Sequence, residues 1–227
     1  MSLKLDIVLV GGGGHCKVLI SILKKLDTFN ITGISDLKEN LGKKVLGVET
    51  RYTDDELEDL HDKGIKYAFV TLGSVGDPDR RIRLFEMLTQ IGFEIPVIIS
   101  KDAIVDESVE IDEGTVIMPG AIINAGTKIG KNCIVNSGAI IDHDCTIGDH
   151  VHVAPGVTVS GSVKIGTGSH IGTGASVIQS ISVGKNVLIG AGSVVTMDVE
   201  DNSRVMGVPA RRISHSRNDK KGIERDV

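Results

Sequence analysis

His143 stands between two aspartates in the stretch AIIDHDCTIG, residues 139–148, where the remaining positions are aliphatic or small. An imidazole has an ordinary pKa near neutrality, so it can take a proton from an attacking amine or hydroxyl. A carboxylate bonded to its second ring nitrogen fixes the tautomer and stabilises the imidazolium. General-base catalysis of group transfer needs this chemistry, and both Asp142 and Asp144 are candidates for the orienting acid. A second pair of histidines, His152 and His170, raises the question of a metal. No carboxylate or thiolate stands at matching positions to complete a coordination set, so no metal is expected.

The frame that must hold these groups is a repeat. Every sixth residue from Val105 through Ile141 to Val195 is Ile or Val, and two residues earlier stands a smaller or branched side chain such as Ala121, Cys133, Ala139, Cys145 or Ala175. A period of six fits neither a helical stripe nor a plain alternating strand. It fits a solenoid in which each hexad gives one short strand and one corner, with three hexads closing a coil. Gly, Asn and Asp suit the corners. In this frame Asp142, His143 and Asp144 lie at a corner and point away from the core. The residues one coil before and after His143 are Ala125 and Gly161, small enough to leave its ring uncovered. Gly161 is also placed to offer a backbone N–H to the oxyanion of a tetrahedral intermediate. Cys145 points inward by the same count, so it is not expected to act as a nucleophile.

Composition narrows the functions. The chain has 227 residues and a net charge of −5, without a long basic run, which argues against nucleic acid as a partner. No Trp, two Tyr and four Phe leave few platforms on which bases could stack. No apolar run approaches the ~20 residues of a membrane span, and the start of the chain has neither a basic leader region nor a cleavage site. A cytoplasmic location is expected. Three cysteines without CxxC spacing argue against a disulfide framework and against zinc.

Residues 1–100 read differently. LDIVLVGGGGHCKVLISILKKL gives a buried strand from Leu5 to Val10, a glycine loop and an amphipathic helix. A glycine loop opening a helix is a phosphate-binding device, because free N–H groups and the dipole end converge there. ITGISD reads as a second strand ending at Asp36, KYAFVTLGS as a third, and a helix is expected from about Asp79 to Ile91. Alternating strands and helices predict a small Rossmann-like parallel sheet. The G-x-G-x-x-G fingerprint fails, since its third glycine would be Cys16 or Lys17, and residues 1–100 make only half of a dinucleotide-binding sheet. A mononucleotide diphosphate fits better than NAD, with Asp36 taking a ribose or base edge.

The hexads, together with VLVGGGGHCKVL, IIDHDCTIGDHVHVAPG and GVPARRI, resemble the hexapeptide-repeat sugar acetyltransferases of the NeuD/PglD type. The resemblance spans nearly all of the chain except the last fourteen residues. It implies an α/β domain over 1–100 that holds a nucleotide-sugar through Gly13, Gly14, His15, Asp36, Gly73 and Ser74. It implies a left-handed parallel β-helix over 101–213 that binds acetyl-CoA as co-substrate. In the family the histidine of H-[DE]-C is the general base, which assigns His143 as base and Asp144 as its partner. The resemblance further implies that His152 contacts the thioester or the pantetheine arm, while His170 is left either as a site residue or as a solvated one. Thr173 and Ala191, in GTGAS and GAGS, keep a wall smooth for pantetheine, and Arg211 with Arg212 is offered to the CoA phosphates. A homotrimer with its site between subunits is also implied. Residues 214–227 are charged and are expected to be disordered.

The expected activity is therefore acetyl transfer to the amino group of a nucleotide-activated 4-amino sugar, directly and without an acyl-enzyme. Three alternatives stay open: O-acetylation of a sialic-acid-like sugar, a catalytically silent scaffold or sugar-nucleotide sensor, and a nucleotide-binding regulator acting through residues 1–100.

Overall fold

The structure, a computed structural model, describes residues 4–213. The charged tail from 214 to 227 lies outside the described residues. The first part is an α/β layer. Strand β1 (Leu5–Val10) runs into helix α1 (Gly14–Leu26), which ends at Asp27 in the left-handed region and is followed by β2 (Phe29–Ser35). A hairpin, β3 (Lys44–Val45) and β4 (Val48–Tyr52), precedes the short helix α2 (Leu57–Asp62), strand β5 (Tyr67–Val70) and helix α3 (Asp79–Ile91). The sheet order is β3-β4-β2-β1-β5, with β1 parallel to both β2 and β5. The expected three strands and the expected α3 are present. The β3–β4 hairpin is additional, and its turn at Leu46–Gly47, where both residues have positive φ, lacks the Asn-Gly signature that marks such turns in a sequence.

From Ile98 onward the chain forms a parallel β-helix of two-residue strands in three sheets. Partners lie one coil apart, as in Ile122↔Ile140, Lys128↔Thr146 and His152↔His170. The recurring Ile/Val column points inward and is buried from Ile117 to Val195. The residue before it in each strand points outward and gives each sheet its character. One face carries Ile104, Ile122, Ile140, Thr158, Ser176 and Val194 and is called here the apolar face. A second carries Glu110, Lys128, Thr146, Lys164 and Ser182 and is the charged face. The third carries Ile98, Val116, Ile134, His152, His170 and Leu188. This third, docked face is the one against which the α/β layer packs.

The two parts share one core rather than meeting across a linker, because Val116, Met118 and Ile134 of the docked face cluster with Phe69, Phe85 and Leu88 of the α/β layer. Helix α3 lies along one column of corners. Gly114, at φ +72, has the Phe85 ring where a side chain would sit, 2.5 Å from an ideal Cβ, so both its backbone and its neighbour require glycine. Phe85 also meets the His150 ring edge-on at 5.9 Å. This docking fixes where loop 71–78 crosses the β-helix, and that crossing shapes the site.

Candidate active site

Residues 142–145 form a corner between the apolar and charged faces. Asp142 is anchored there: its Oδ1 accepts from Asn124 Nδ2 and from the His143 N–H, each at 2.8 Å. These bonds, Asn124 first, hold its carboxyl below the ordinary range. Asp144 takes the left-handed corner position at φ 58, which aspartate tolerates better than most residues. Its Oδ2 accepts from His143 Nδ1 at 2.8 Å. A carboxylate only accepts, so Nδ1 carries the proton and Nε2 is the free nitrogen of the neutral ring. The Asp144 bond, then the charge of Asp142, raises the His143 pKa above 6.5. Asp144 is thus the carboxylate that orients the imidazole, while Asp142 fixes the backbone beneath it.

The Nε2 edge of His143 covers Gly161 of the next coil, and an ideal Cβ there would lie 2.6 Å from Nε2. The N–H of Gly161 donates to no acceptor among the described residues. The free base nitrogen therefore lies against the Gly161 backbone, whose N–H has no acceptor among the described residues.

The second constellation lies at the seam between the α/β layer and the docked face. Helix α1 starts at Gly14 with Gly13 as its N-cap, and no side chain caps it. Gly13 and Gly14 are exposed and open, so the helix end is free for an anion. Asp36 is less free: Oδ2 accepts the Gly12 N–H at 2.6 Å, and Oδ1 accepts from the Leu37 N–H and Asn40 Nδ2. It shapes the glycine loop from below. His15 packs beside Gly73, and its Nε2 is buried without a partner. His152 Nδ1 donates to the Ser74 carbonyl, and its Nε2 faces Asn136 Nδ2 at 3.1 Å. Burial first, then Arg81 for His15 and His170 for His152, brings both pKa values down to about 3. The His170 ring meets His152 edge-on at 4.8 Å.

With this geometry in place, likeness to known proteins is decisive. Residues 6–88 match the PglD N-terminal domain. Residues 126–161 match the bacterial transferase hexapeptide, and 108–143, 162–197 and 180–207 match the hexapeptide repeat of succinyl-transferase. No curated protein matches the chain's sequence. PerB from Caulobacter crescentus, solved in complex with CoA and GDP-perosamine, is 35% identical over 92% of this chain and 97% of that one, with a TM-score of 0.86. The chain belongs to the PglD/NeuD-type sugar acetyltransferases. The acetyltransferase domain of PglB from Neisseria gonorrhoeae, in complex with acetyl coenzyme A, is 34% identical over 92% and 100% of the two chains, with a TM-score of 0.84. WeeI from Acinetobacter baumannii is 26% identical over 92% and 100%, with a TM-score of 0.80. The β-helix is accordingly the left-handed parallel one expected of this family.

Within the PglD/NeuD frame, a cleft of about 220 Å³ is lined by His170, Thr173 and Ala191 together with Val75, Leu188 and Met206. His152, expected from the resemblance at the thioester or the pantetheine arm, is not on its wall: it lies beneath loop 71–78, buried and bonded at both ring nitrogens. Nor does His143 line this cleft, since the two sit at opposite edges of the apolar face. Arg211 lies elsewhere again, exposed on a terminal hairpin strand and lining a separate cavity with Arg212. Arg212 pairs with Glu200 at 3.0 Å. All three cysteines are buried; burial pushes Cys133 up to about 12 and Cys16 up to about 11, and raises Cys145 as well. None is a ready thiolate. Among the described residues no group of His, Cys, Asp and Glu could hold a metal ion. Two site residues escaped sequence reasoning, Asn136 and Arg81. Asn136 sits sixteen residues from His152, off the one-coil spacing by which neighbours were counted.

Proposed function

We propose that the chain transfers the acetyl group of acetyl-CoA to the amino group of a nucleotide-linked 4-amino sugar. The observation that carries this reading is the free His143 Nε2, oriented by Asp144 and lying against Gly161, whose N–H has no acceptor among the described residues. The neutral amine attacks the thioester carbonyl, and Nε2 takes the proton released as the C–N bond forms. The Gly161 N–H stabilises the oxyanion. The C–S bond then breaks and CoA leaves as the thiol or thiolate. The cysteines are buried with raised pKa values, which favours direct transfer over a thiolate nucleophile. The acceptor's diphosphate rests on the open N-terminus of α1 near Gly13, Gly14 and His15, with Gly73 and Ser74 beside it. The relatives solved with CoA and GDP-perosamine, or with acetyl coenzyme A, support this substrate pair.

The site is shared between subunits of a homotrimer. The apolar face supports this, because Ile104 is 66% exposed and Ile122, Ile140 and Val194 are half-buried in a single chain. One edge of that face carries His143; the other carries the corners at Thr173 and Ala191. Packing apolar faces around a threefold axis brings the His143 corner of one copy to the Thr173–Ala191 corner of the next. Pantetheine then runs between them, with Arg211 toward the CoA phosphates. The reaction belongs to the cytoplasm, where acetyl-CoA and nucleotide sugars are made.

Thiol release from acetyl-CoA against UDP- and GDP-linked 4-amino sugars, with free sialic acids alongside, tests the reading. Release with a nucleotide-linked amino sugar supports it. Release with sialic acid alone replaces it with O-acetylation.

A further inference from the structure

Arg80, Arg81 and Arg83 open helix α3. Arg80 and Arg83 are exposed, but Arg81 is 2% exposed. Among the described residues no carboxylate lies within ion-pair distance of it. Its guanidinium is turned to backbone carbonyls: Nη1 donates to Val70 at 2.8 Å and Leu72 at 2.7 Å, while Nη2 reaches Gly114 and Nε reaches Asn132, each at 3.4 Å. The first two carbonyls end β5 and begin the loop toward Ser74. The other two belong to corners of the β-helix.

A hydrocarbon side chain would fill this space without the cost of burying a cation. What the arginine adds is direction, since its planar fork gathers carbonyls from both parts of the chain at once. Leu72, gripped by Nη1, is two residues from Ser74, and the Ser74 carbonyl holds the proton on His152 Nδ1. Gly73 between them packs against His15. Arg81 is buried and gives four of its five N–H groups to backbone carbonyls, so it acts through these neighbours and not on a ligand.

We propose that Arg81 is a positioning residue for the acceptor end of the site: it clamps loop 72–74 to the β-helix and thereby sets the tautomer of His152 beside the sugar. This rests on the reading that the α/β layer holds the acceptor. The consequence is a split, with the sugar affected and acetyl-CoA not.

The test uses the full-length protein with Arg81→Met, which fills the space, and Arg81→Lys, which keeps the charge but loses the fork. Imidazole nitrogen resonances of His152, assigned by comparison with His152→Gln, report the tautomer without any turnover. Both variants should lose the single Nδ1–H tautomer and show faster amide exchange in loop 72–76, with CoA affinity unchanged. The Michaelis constant for the sugar should rise about tenfold or more, and that for acetyl-CoA less than about twofold. An unchanged His152 signal with only a lower melting temperature would reduce Arg81 to a structural clamp and overturn the proposal. So would equal rises in both Michaelis constants. If the methionine variant does not fold, the lysine variant decides by the same criteria. Wild-type protein inactive on every amino sugar would instead defeat the functional reading, leaving the tautomer result to judge Arg81.

Discussion

The His143 imidazole lies on Gly161 of the following coil so closely that a methyl group there would sit 2.6 Å from Nε2. The imidazole is exposed and can swing aside, so Gly161→Ala should leave the β-helix as stable as before while displacing the base. A misplacement of ~1 Å costs on the order of 10²-fold in rate. Thermal melting with turnover on the same preparation checks this, and an unimpaired Gly161→Ala enzyme would detach the glycine from the chemistry.

Asp144 raises the His143 pKa chiefly through its hydrogen bond. The base must be neutral to act, so the acidic limb of kcat/KM should lie above pH 6.5 in the wild type. Asp144→Asn keeps the left-handed corner but removes the charge. Its acidic limb should shift to lower pH, and its plateau should fall by roughly 10–10². A limb that stays in place would transfer the effect to Asp142.

The seam histidines make a prediction of opposite sign. His15 and His152 have native pKa values of about 3 against 6.5, and burial lowers His150 and His170 as well. The unfolded chain therefore binds protons first as the solution is acidified. Their contribution to stability is complete above pH 6.5 and is lost as pH falls toward 3. Melting temperature should drop between about pH 7.5 and about pH 5, and by less in His15→Gln. A melting temperature independent of pH across this window would mean that the seam takes up protons without loosening.

How much of this was legible in the sequence depended on the range of the interaction. The Ile/Val column and the corner at Asp142–Asp144 followed from a strict period, because each coil repeats the same local problem of filling one interior. The overlap of His143 with Gly161 followed from the same count. The cover over His152 was not legible, because the count describes the β-helix alone and the contact comes from Ser74, seventy-eight residues away. Arg81 was invisible for a similar reason: nothing near it in DRRIRLFEML announces four carbonyls converging from one strand end, one loop and two corners. The β3–β4 hairpin was missed locally, since Leu46–Gly47 is a weak turn signal.

The apolar face gives an assembly prediction. Ile122→Glu places a charge on it, and folded monomers without activity should result. Lys164→Glu on the charged face should leave both assembly and activity intact. Sedimentation with activity measured on the same fractions is the check, and a fully active monomer peak would sink the shared site.

The central claim is that His143 is the base for direct acetyl transfer, and His143→Ala tests it most directly. Thiol release from acetyl-CoA should be measured for wild type and variant with a nucleotide-linked 4-amino sugar, alongside CoA affinity by calorimetry. The account predicts unchanged CoA binding and a turnover lower by roughly 10²–10⁴. Wild-type turnover in the variant would contradict it.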